Sequence, residues 1–191
     1  VLELVRRPPR TPHAWDEPAN RRLLFAAAAR HRPDWLIALD ADERIEKNFR
    51  ARAEAEIARA RAEGIRALSV QVRDLWNSPE TYRVDGLWGQ KRTARLFEFR
   101  RDAEIDPRAF HGHWAPLNSR TADGFPPADL YLYHLRMIDP DARRARRERY
   151  ERLDPGNLCQ AIGYGYLTDE EGLRLERLPA GREYEPLGIG T

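Results

Sequence analysis

The stretch WLIALDADER, residues 35–44, decides the predicted fold and raises the first question about function. It begins with five mostly apolar residues, and such a run predicts a strand covered on both faces, as in a parallel sheet flanked by helices. Asp40, Asp42 and Glu43 follow directly. Carboxylates this close repel and raise one another's pKa unless a cation or hydrogen-bond donors offset their charge. We therefore expect positive charge near this turn.

Composition limits the class of protein. Of the 191 residues, 34% are charged and 41% are hydrophobic, which is typical of a soluble globular protein. No apolar run approaches the roughly 18 residues that a membrane-spanning helix needs, and the start does not resemble a signal peptide. We expect a cytoplasmic protein and leave a peripheral membrane contact open. The net charge of +2 gives no reason to expect nucleic-acid binding, and we expect the single cysteine, Cys159, in the core.

Periodicity predicts alternating strands and helices around the opening stretch. We predict strands at residues 1–5, 35–39, 65–73, 93–99 and 130–135, and helices at residues 20–31, 47–63 and 139–153. In the first helix, Leu23 and Leu24 have core-facing spacing. The order of elements predicts a right-handed α/β unit, in which ligands bind beyond the carboxyl ends of the strands. Asp40 and Asp42 lie at such an end.

Two carboxylates spaced one residue apart at a strand end can share one hard divalent cation. Magnesium or manganese typically takes one or two protein carboxylates together with the oxygens of a substrate diphosphate, so the motif predicts a site for a nucleotide sugar. A helix–loop–helix calcium site is excluded, because Ile45 and Ala51 stand where its glycine and glutamate are required. Acidic residues that merely cap the next helix are an open alternative. An aspartate-nucleophile phosphatase is another, although Arg44 is unusual there.

Four segments carry a resemblance to a known family. They are NRRLLFAAAARHRPDWLIALDADERIE, TARLFEFRRD, FHGHWAPL and YLYHLRMIDPDARRARRERYERLDP, which follow one another within residues 15–170. Their content and order resemble family 2 glycosyltransferases of the GT-A fold. The resemblance implies a GT-A-like mixed sheet flanked by helices. It also implies inverting transfer of a sugar from a nucleotide-sugar donor to a saccharide, lipid or small-molecule acceptor.

The resemblance also implies roles for single residues. Asp40 and Asp42 match the DxD motif and would bind manganese or magnesium and the donor, with Asp42 the direct ligand. His134 matches a late histidine that adds a metal ligand or a diphosphate contact, and a core histidine is the alternative. Arg136 would stabilise charge on the leaving group.

The general base of such a transfer is an Asp or Glu, and the resemblance leaves it unassigned. Gly112 follows His111 where relatives often have an acidic residue. Asp85, Asp123, His111 and His113 are candidates, and of these we select Asp85 and His111.

Three loop tryptophans and the start of the chain give further predictions. Trp76, Trp88 and Trp114 would either stack on sugar rings or fill a core. If residues 1–5 are the family's third strand, the first strands and their nucleotide pocket are missing. We predict a partial GT-A-like domain at 1–135 and a basic helix with a tail at 136–191. We therefore expect part of a longer protein, a unit completed by a partner that supplies the missing strands, or a poorly active remnant. A non-catalytic interaction module with the same fold is the alternative to an enzyme.

Overall fold

A computed structural model describes Val5, residues 16–108 and residues 111–184. The helices are α1 (Glu17–Ala29), α2 (Phe49–Ala62) and α3 (Pro140–Leu153). The strands are β1 (Trp35–Ile37), β2 (Glu43–Ile45), β3 (Ala67–Asp74), β4 (Thr81–Arg83), β5 (Arg92–Glu98), β6 (Pro127–His134) and β7 (Leu175–Arg177). The described chain is therefore mixed α/β, with a five-stranded mixed sheet in the order β1-β5-β3-β6-β2, flanked by helices, and a smaller β4-β7 sheet. Residues 1–4 of the first predicted strand lie outside the described part.

Local signals set the helix starts. Asp16 caps α1 by accepting a hydrogen bond from the amide of Ala19 at 2.9 Å, and Pro18 stands in the first turn. Asp139 caps α3 in the same way through the amide of Asp141, also at 2.9 Å. Proline is well tolerated in a first turn because its missing N–H has no partner there. The predicted helix at 139–153 is confirmed.

Two strands differ from expectation. β1 pairs with β5 antiparallel, Trp35 opposite Glu98, so the predicted parallel pairing is wrong for this strand. Its three residues are only half-buried because β1 lies at one end of the described sheet and has a single neighbour. β2 was not predicted, since it is three residues long and begins with Glu43 and Arg44.

Contacts divide the chain into two units. The first consists of the described parts of Val1–Ala38, Ala60–Ser69 and Ala94–Pro126. Its core contains Ala67, Ala94, Phe97 and Ala115, with Phe25 of α1 stacked on Phe97 at 5.6 Å between ring centroids.

α1 does not bury the face that its leucines predicted. Leu23 and Leu24 are 36% and 44% exposed, whereas Arg21 is buried. The guanidinium of Arg21 pairs with Glu17 and donates to the carbonyl of Asp106 at 3.1 Å. The core-facing expectation for the two leucines is wrong, because the buried side of α1 is the one that carries this arginine and Ala27.

The second unit consists of the described parts of Leu39–Arg59, Val70–Thr93 and Pro127–Thr191. One of its apolar clusters contains Trp76, Trp88, Met137, Tyr164 and Leu167. Trp76 and Trp88 are at most 3% exposed, so the sugar-stacking alternative is wrong for both. Trp114, in the first unit, is half-buried against that unit's core.

A late segment of the chain neutralises a buried acid in the second unit. Glu46 is 1% exposed, and the guanidinium of Arg182 donates to it at 3.0 Å. Arg182 also donates to Asp129 at 2.9 Å and lies 3.8 Å from the ring centroid of Tyr131. Nε of Arg52 lies 3.5 Å from the same carboxylate, and the amide of Tyr131 donates to it at 3.0 Å. The buried charge of Glu46, which requires partners, is therefore shared among several groups.

Two further observations concern surfaces. Cys159 is exposed, so its predicted core position is wrong. In the described part of the chain, every helix is too short or too polar to cross a bilayer.

Candidate functional site

Among the three clustered carboxylates, that of Glu43 stabilises the turn at residues 40–43. The side chain of Glu43 accepts a hydrogen bond from the amide of Asp40 at 2.8 Å, and the amide of Glu43 donates to the carbonyl of Asp40 at 3.0 Å. Glu43 is 6% exposed, whereas Asp40 is exposed. The turn therefore uses Glu43 internally and leaves Asp40 and Asp42 as candidates for ligand binding.

The register between β2 and β6 fixes the position of Asp42. Glu43 lies opposite His134 in this antiparallel pair, and the amide of Leu135 donates to the carbonyl of Asp42 at 2.8 Å. As a result, Oδ2 of Asp42 lies 3.4 Å from Nε2 of His134. The structure thus brings together two residues that the sequence placed 92 positions apart.

A buried acid supports the histidine from the other side. Nδ1 of His134 lies 2.6 Å from Oδ1 of Asp74, the last residue of β3. Asp74 is fully buried, and Nζ of Lys91 lies 3.3 and 3.2 Å from its two carboxylate oxygens. We call Asp42, His134 and Asp74 together the Asp–His–Asp series.

An arginine of α3 adjoins the same histidine. Nη1 of Arg146 lies 2.9 Å from Nε2 of His134. With His134 neutral and protonated on Nδ1, Nε2 accepts a hydrogen bond from this guanidinium. With His134 protonated, both ring nitrogens are donors, to Asp74 on one side and toward Asp42 on the other. The charge on His134 therefore decides whether Nε2 accepts a hydrogen bond from Arg146 or faces Asp42 as a donor.

The electrostatics agree with the positive charge expected beside the DxD motif. The hydrogen bond from His134, with further help from the charge of Arg146, lowers the pKa of Asp42 to about 2. Burial alone would raise the pKa of Asp74, but Lys91 and His134 outweigh it and hold that pKa below its ordinary value. Burial alone would lower the pKa of His134, yet its bonds to the two carboxylates raise it. Asp42 and Asp74 are therefore both ionised at neutral pH.

Asp40 and Asp42 supply the oxygen ligands that hard divalent cations prefer, and their role as metal ligands stays a prediction. Asp40 is exposed and the side chain of Asp42 is 29% exposed, so both can be reached from solvent. Among the described residues no set of three or more His, Cys, Asp or Glu side chains could hold a metal ion by itself. Two carboxylates with substrate oxygens completing the coordination are a usual arrangement for magnesium. At His134 a metal ion would compete with the guanidinium of Arg146, and the ligand role of this histidine stays a prediction.

Arg136 and Asp85 both belong to the second unit. Arg136 is exposed in a single 3-10 turn, Leu135–Met137, directly after β6. Asp85 accepts two hydrogen bonds from Arg83, at 2.9 Å from Nε and 2.8 Å from Nη2, and one from the amide of Arg174 at 3.0 Å. The bonds from Arg83 lower the pKa of Asp85 to about 2. Its role as general base stays a prediction, and its contacts are those of an ion-paired structural carboxylate.

The candidate histidines of the FHGHWAPL segment belong to the first unit. His111 is exposed and has a φ of 56°, the left-handed region that few residues other than glycine adopt. The amide of His113 donates to Asp106 at 2.8 Å, and burial lowers the pKa of the His113 ring. Asp123 is an exposed residue of a turn.

Sequence reasoning missed Asp74, Lys91 and Arg146. Asp74 had one signal, its position directly after an alternating strand that was predicted to stop at residue 73. Arg146 had none, because it is one of six arginines in α3. Lys91 is one of only two lysines in the chain, but that rarity says nothing about its partner.

The second unit also has a polar cavity of about 470 Å³ beside the first turns of α3. Asn77, Arg143, Thr168 and Glu170 are among its lining residues. The guanidinium of Arg143 donates to Asn77 at 3.0 Å and to Glu170 at 2.9 Å, and it lies 4.0 Å from the ring centroid of Trp76. The polar groups of Arg143 are therefore already used in holding the cavity wall.

Comparisons with known proteins give no relative from which a role could be transferred. No protein-family model matches this chain, and no curated protein matches it. The function must be argued from the residues and their geometry.

Proposed function

We propose that this chain is a metal-dependent glycosyltransferase with a GT-A-like sheet. It would transfer a sugar, with inversion, from a nucleotide-sugar donor to a hydroxyl of a saccharide, lipid or small-molecule acceptor. The observation that carries the proposal is the carboxylate of Asp42, which is ionised, reachable from solvent and supported by the buried His134 and Asp74.

The contacts of Asp42 with its neighbours suit a residue whose side chain must keep one orientation. Its backbone is fixed by Leu135, its side chain faces His134, and His134 is held by a fully buried acid. A binding group is most effective when its neighbours prevent it from rotating away. A carboxylate that only capped α2 would not need a buried second acid behind it.

The proposed division of labour follows from charge and exposure. Asp42 and Asp40 bind a divalent cation, manganese or magnesium, which when bound neutralises negative charge on the donor diphosphate. Arg136 and the guanidinium of Arg146 contribute further positive charge for the leaving group. His134 orients Asp42, and its additional role as a metal ligand is a prediction. Asp85 and His111 are the predicted candidates for the general base.

The test is a calorimetric titration of the chain with UDP, GDP and dTDP, each with and without manganese. We expect one nucleotide to bind only with manganese, and Asp42→Asn to abolish that binding because the amide removes the negative charge at the metal. Asp102→Asn is the matched control, since Asp102 is an exposed carboxylate paired with Arg100. Equal binding by wild type and Asp42→Asn would contradict the proposal. Phosphate release without sugar transfer would instead favour the phosphatase alternative.

A second candidate is a non-catalytic interaction module that keeps this fold. The exposed Leu23 and Leu24 on α1 favour it, because apolar helix surface suits a protein partner, including one that supplies further strands. Failure of a folded chain to bind any of the three nucleotides would support this candidate.

A further inference from the structure

The guanidinium of Arg73, in β3 of the second unit, contacts aromatic rings instead of acids. Its Cζ lies 4.5 Å from the ring centroid of Tyr82 and 4.7 Å from that of Tyr131. Among the described residues its Nε is buried without a hydrogen-bond acceptor, and no described carboxylate forms an ion pair with it. Cation–π contacts offset only part of the cost of removing a guanidinium from water.

Other arginines of this unit that stack on rings have acidic partners as well. The guanidinium of Arg83 pairs with Asp85 at 2.8 Å, and that of Arg143 pairs with Glu170 at 2.9 Å. Both also lie over the ring of a tryptophan. In the described part of the chain Arg73 has the ring contacts alone, so it is an oriented cation without a described counter-ion.

A second arginine approaches Arg73 from the neighbouring strand. β3 and β5 are adjacent in the sheet, and the amide of Val72 donates to the carbonyl of Lys91 at 2.9 Å. The next residue, Arg92, donates through Nη2 to the carbonyl of Ala128 at 2.6 Å. Because β3 lies between β5 and β6, this contact takes the Arg92 side chain across β3. Partial burial of its guanidinium and the charge of Arg73 lower the pKa of Arg92. The two cations are therefore near enough to repel each other.

The acids around the two arginines have other contacts. They are bound as follows: Asp129 to Arg52 and Arg182, Glu56 to Arg59, Glu46 to Arg182, and Glu176 to the hydroxyl of Tyr82. Asp129 and Glu56 also attract the charge of Arg92, but partial burial and Arg73 outweigh them. Positive charge is therefore in excess at Arg73 and Arg92, and an anion that contacted both would offset their repulsion.

The pair lies on the face of the sheet opposite to the Asp–His–Asp series. Arg73 directly precedes Asp74 in β3, and successive side chains of a strand point to opposite faces. Arg92 is exposed and Arg73 is half-buried, so both can be reached from solvent. A ligand of this pair is therefore distinct from a donor diphosphate held at Asp42.

The chemistry of the pair suits a phosphate group. A guanidinium stacked on rings uses its flat faces for the stacking, and its N–H donors project from the edge in a fork that matches phosphate oxygens. Two neighbouring guanidiniums carry two positive charges. A phosphate dianion offsets both charges, whereas a single carboxylate offsets one.

We propose that Arg73 and Arg92 form a binding site for a phosphate group, either free phosphate or a monoester of a larger molecule. Both guanidiniums donate to the phosphate oxygens, and Tyr82 and Tyr131 hold Arg73 in orientation. The proposal goes beyond the proposed function and does not depend on it, because it uses no metal and none of the residues of the Asp–His–Asp series.

The Nε–H group of Arg73 makes the proposal directly measurable. Ring currents of two tyrosines shift its proton resonance and burial slows its exchange with water, so a nitrogen–proton correlation spectrum of the arginine side chains resolves it. Arg73→Lys identifies the signal by removing it. Inorganic phosphate, added with EDTA at constant ionic strength, should shift this signal in a saturable way with a Kd on the order of 1 mM.

Other anions define what the site selects. Acetate should bind at least about tenfold more weakly than phosphate, because it carries one charge. Glycerol phosphate separates the two sources of the group. Tighter binding than inorganic phosphate would identify an ester as the ligand, and equal binding would identify free phosphate as sufficient, and both results support the site.

Substitutions test the two arginines separately. Arg92→Gln should weaken phosphate binding at least about tenfold, since one of the two cations is lost while the Arg73 signal remains as the reporter. Arg73→Lys keeps the charge but loses the fork, and phosphate should raise the Tm of wild type more than that of this variant. The matched control is Arg101→Gln, which removes an exposed arginine of a turn in the first unit and should leave phosphate binding unchanged.

Three results would overturn the proposal. The first is a phosphate titration without a saturable shift of the Arg73 signal, and the second is acetate binding as tight as phosphate binding. The third is equal weakening by Arg92→Gln and Arg101→Gln, which would show a response to overall charge only. All of these measurements are made without metal and nucleotide, so this proposal and the proposed function fail independently.

Discussion

Asp42 and Asp85 have the same pKa, about 2, but for different structural reasons. Asp85 accepts two hydrogen bonds from Arg83 and one from the backbone of Arg174. Asp42 has a buried histidine on one side, and that histidine has its own buried acid. The carboxylate of Asp85 belongs to a local ion pair. The carboxylate of Asp42 is instead the solvent-accessible end of a series that continues through His134 to Asp74.

A low pKa alone therefore does not mark a functional carboxylate. Strongly shifted pKa values cluster at active sites, but structural ion pairs produce them as well. What separates the two cases is the identity of the partner: a local arginine that neutralises Asp85, or a buried network that orients Asp42. Substitutions at these positions test the distinction when stability and ligand binding are measured separately.

The largest effect should come from Asp74→Asn. The change removes the countercharge of His134 and Lys91 from a fully buried position, and breaking a buried ionic network in this way costs about 3–5 kcal/mol of the free energy of unfolding. Urea unfolding at neutral pH measures it. Asp129→Asn is the control, because its carboxylate is 62% exposed and should cost less than about 1 kcal/mol. Equal losses in the two variants would mean that the buried series does not support the fold.

Asp85→Asn should have the next largest effect on stability. It takes the charged partner from Arg83, which is 3% exposed, and should cost about 1–3 kcal/mol. The folded-state pKa of about 2 lies below the ordinary 3.8, so this contribution is present above the unfolded-state pKa and is lost as pH falls through about 2. Thermal unfolding of both proteins from acidic to neutral pH tests this sign.

Binding and transfer assays give the second half of the Asp85 test. If Asp85 is structural, manganese-dependent nucleotide binding should survive Asp85→Asn in the folded protein. Loss of sugar transfer with stability and binding intact would instead identify Asp85 as the general base.

Lys91→Gln should have a smaller effect, about 1 kcal/mol, because Lys91 is 40% exposed and Asp74 keeps its bond to His134. A double-mutant cycle with Asp74→Asn measures the coupling between the two residues. In the Asp74→Asn variant, the further substitution Lys91→Gln should change the free energy of unfolding little. If the two losses of stability were additive, Lys91 would stabilise the unit through another contact, for example its cation–π contact with the ring of Trp88.

Asp42→Asn should change the free energy of unfolding least, by less than about 1 kcal/mol, since its side chain is partly exposed and the amide can still accept from His134. It should nevertheless abolish metal-dependent nucleotide binding. Urea unfolding and calorimetry on one preparation give both values. A large stability loss together with intact binding would place Asp42 in the same structural class as Asp85.

The sequence predicted those parts of the fold whose signals are local. The start of α3 follows from Asp139, Pro140 and Asp141, which act within one turn. β2 could not be predicted, because three residues beginning with two charged ones have no strand pattern. The exposure of Leu23 and Leu24 was also missed, since helical spacing defines a face but not what the face contacts.

The candidate site was predictable only in part. Asp42 and His134 were selected from their motifs, but their 3.4 Å approach depends on the pairing of Glu43 with His134. Asp74 and Arg146 join the same group only through strand neighbours and the docking of α3. Such contacts depend on tertiary structure and have no short-range pattern in the sequence.

The contact between Arg182 and Glu46 has a consequence for the order in which the molecule matures. The two residues are 136 positions apart, and the partner of β4, β7, lies equally late in the chain. Synthesis supplies one countercharge of Glu46 early, because Nε of Arg52 lies 3.5 Å from its carboxylate, whereas Arg182 follows much later. In a chain synthesised from its N-terminus, the second unit therefore cannot form the contact between Arg182 and Glu46, or the pair of β4 and β7, until residues 175–182 have left the ribosome.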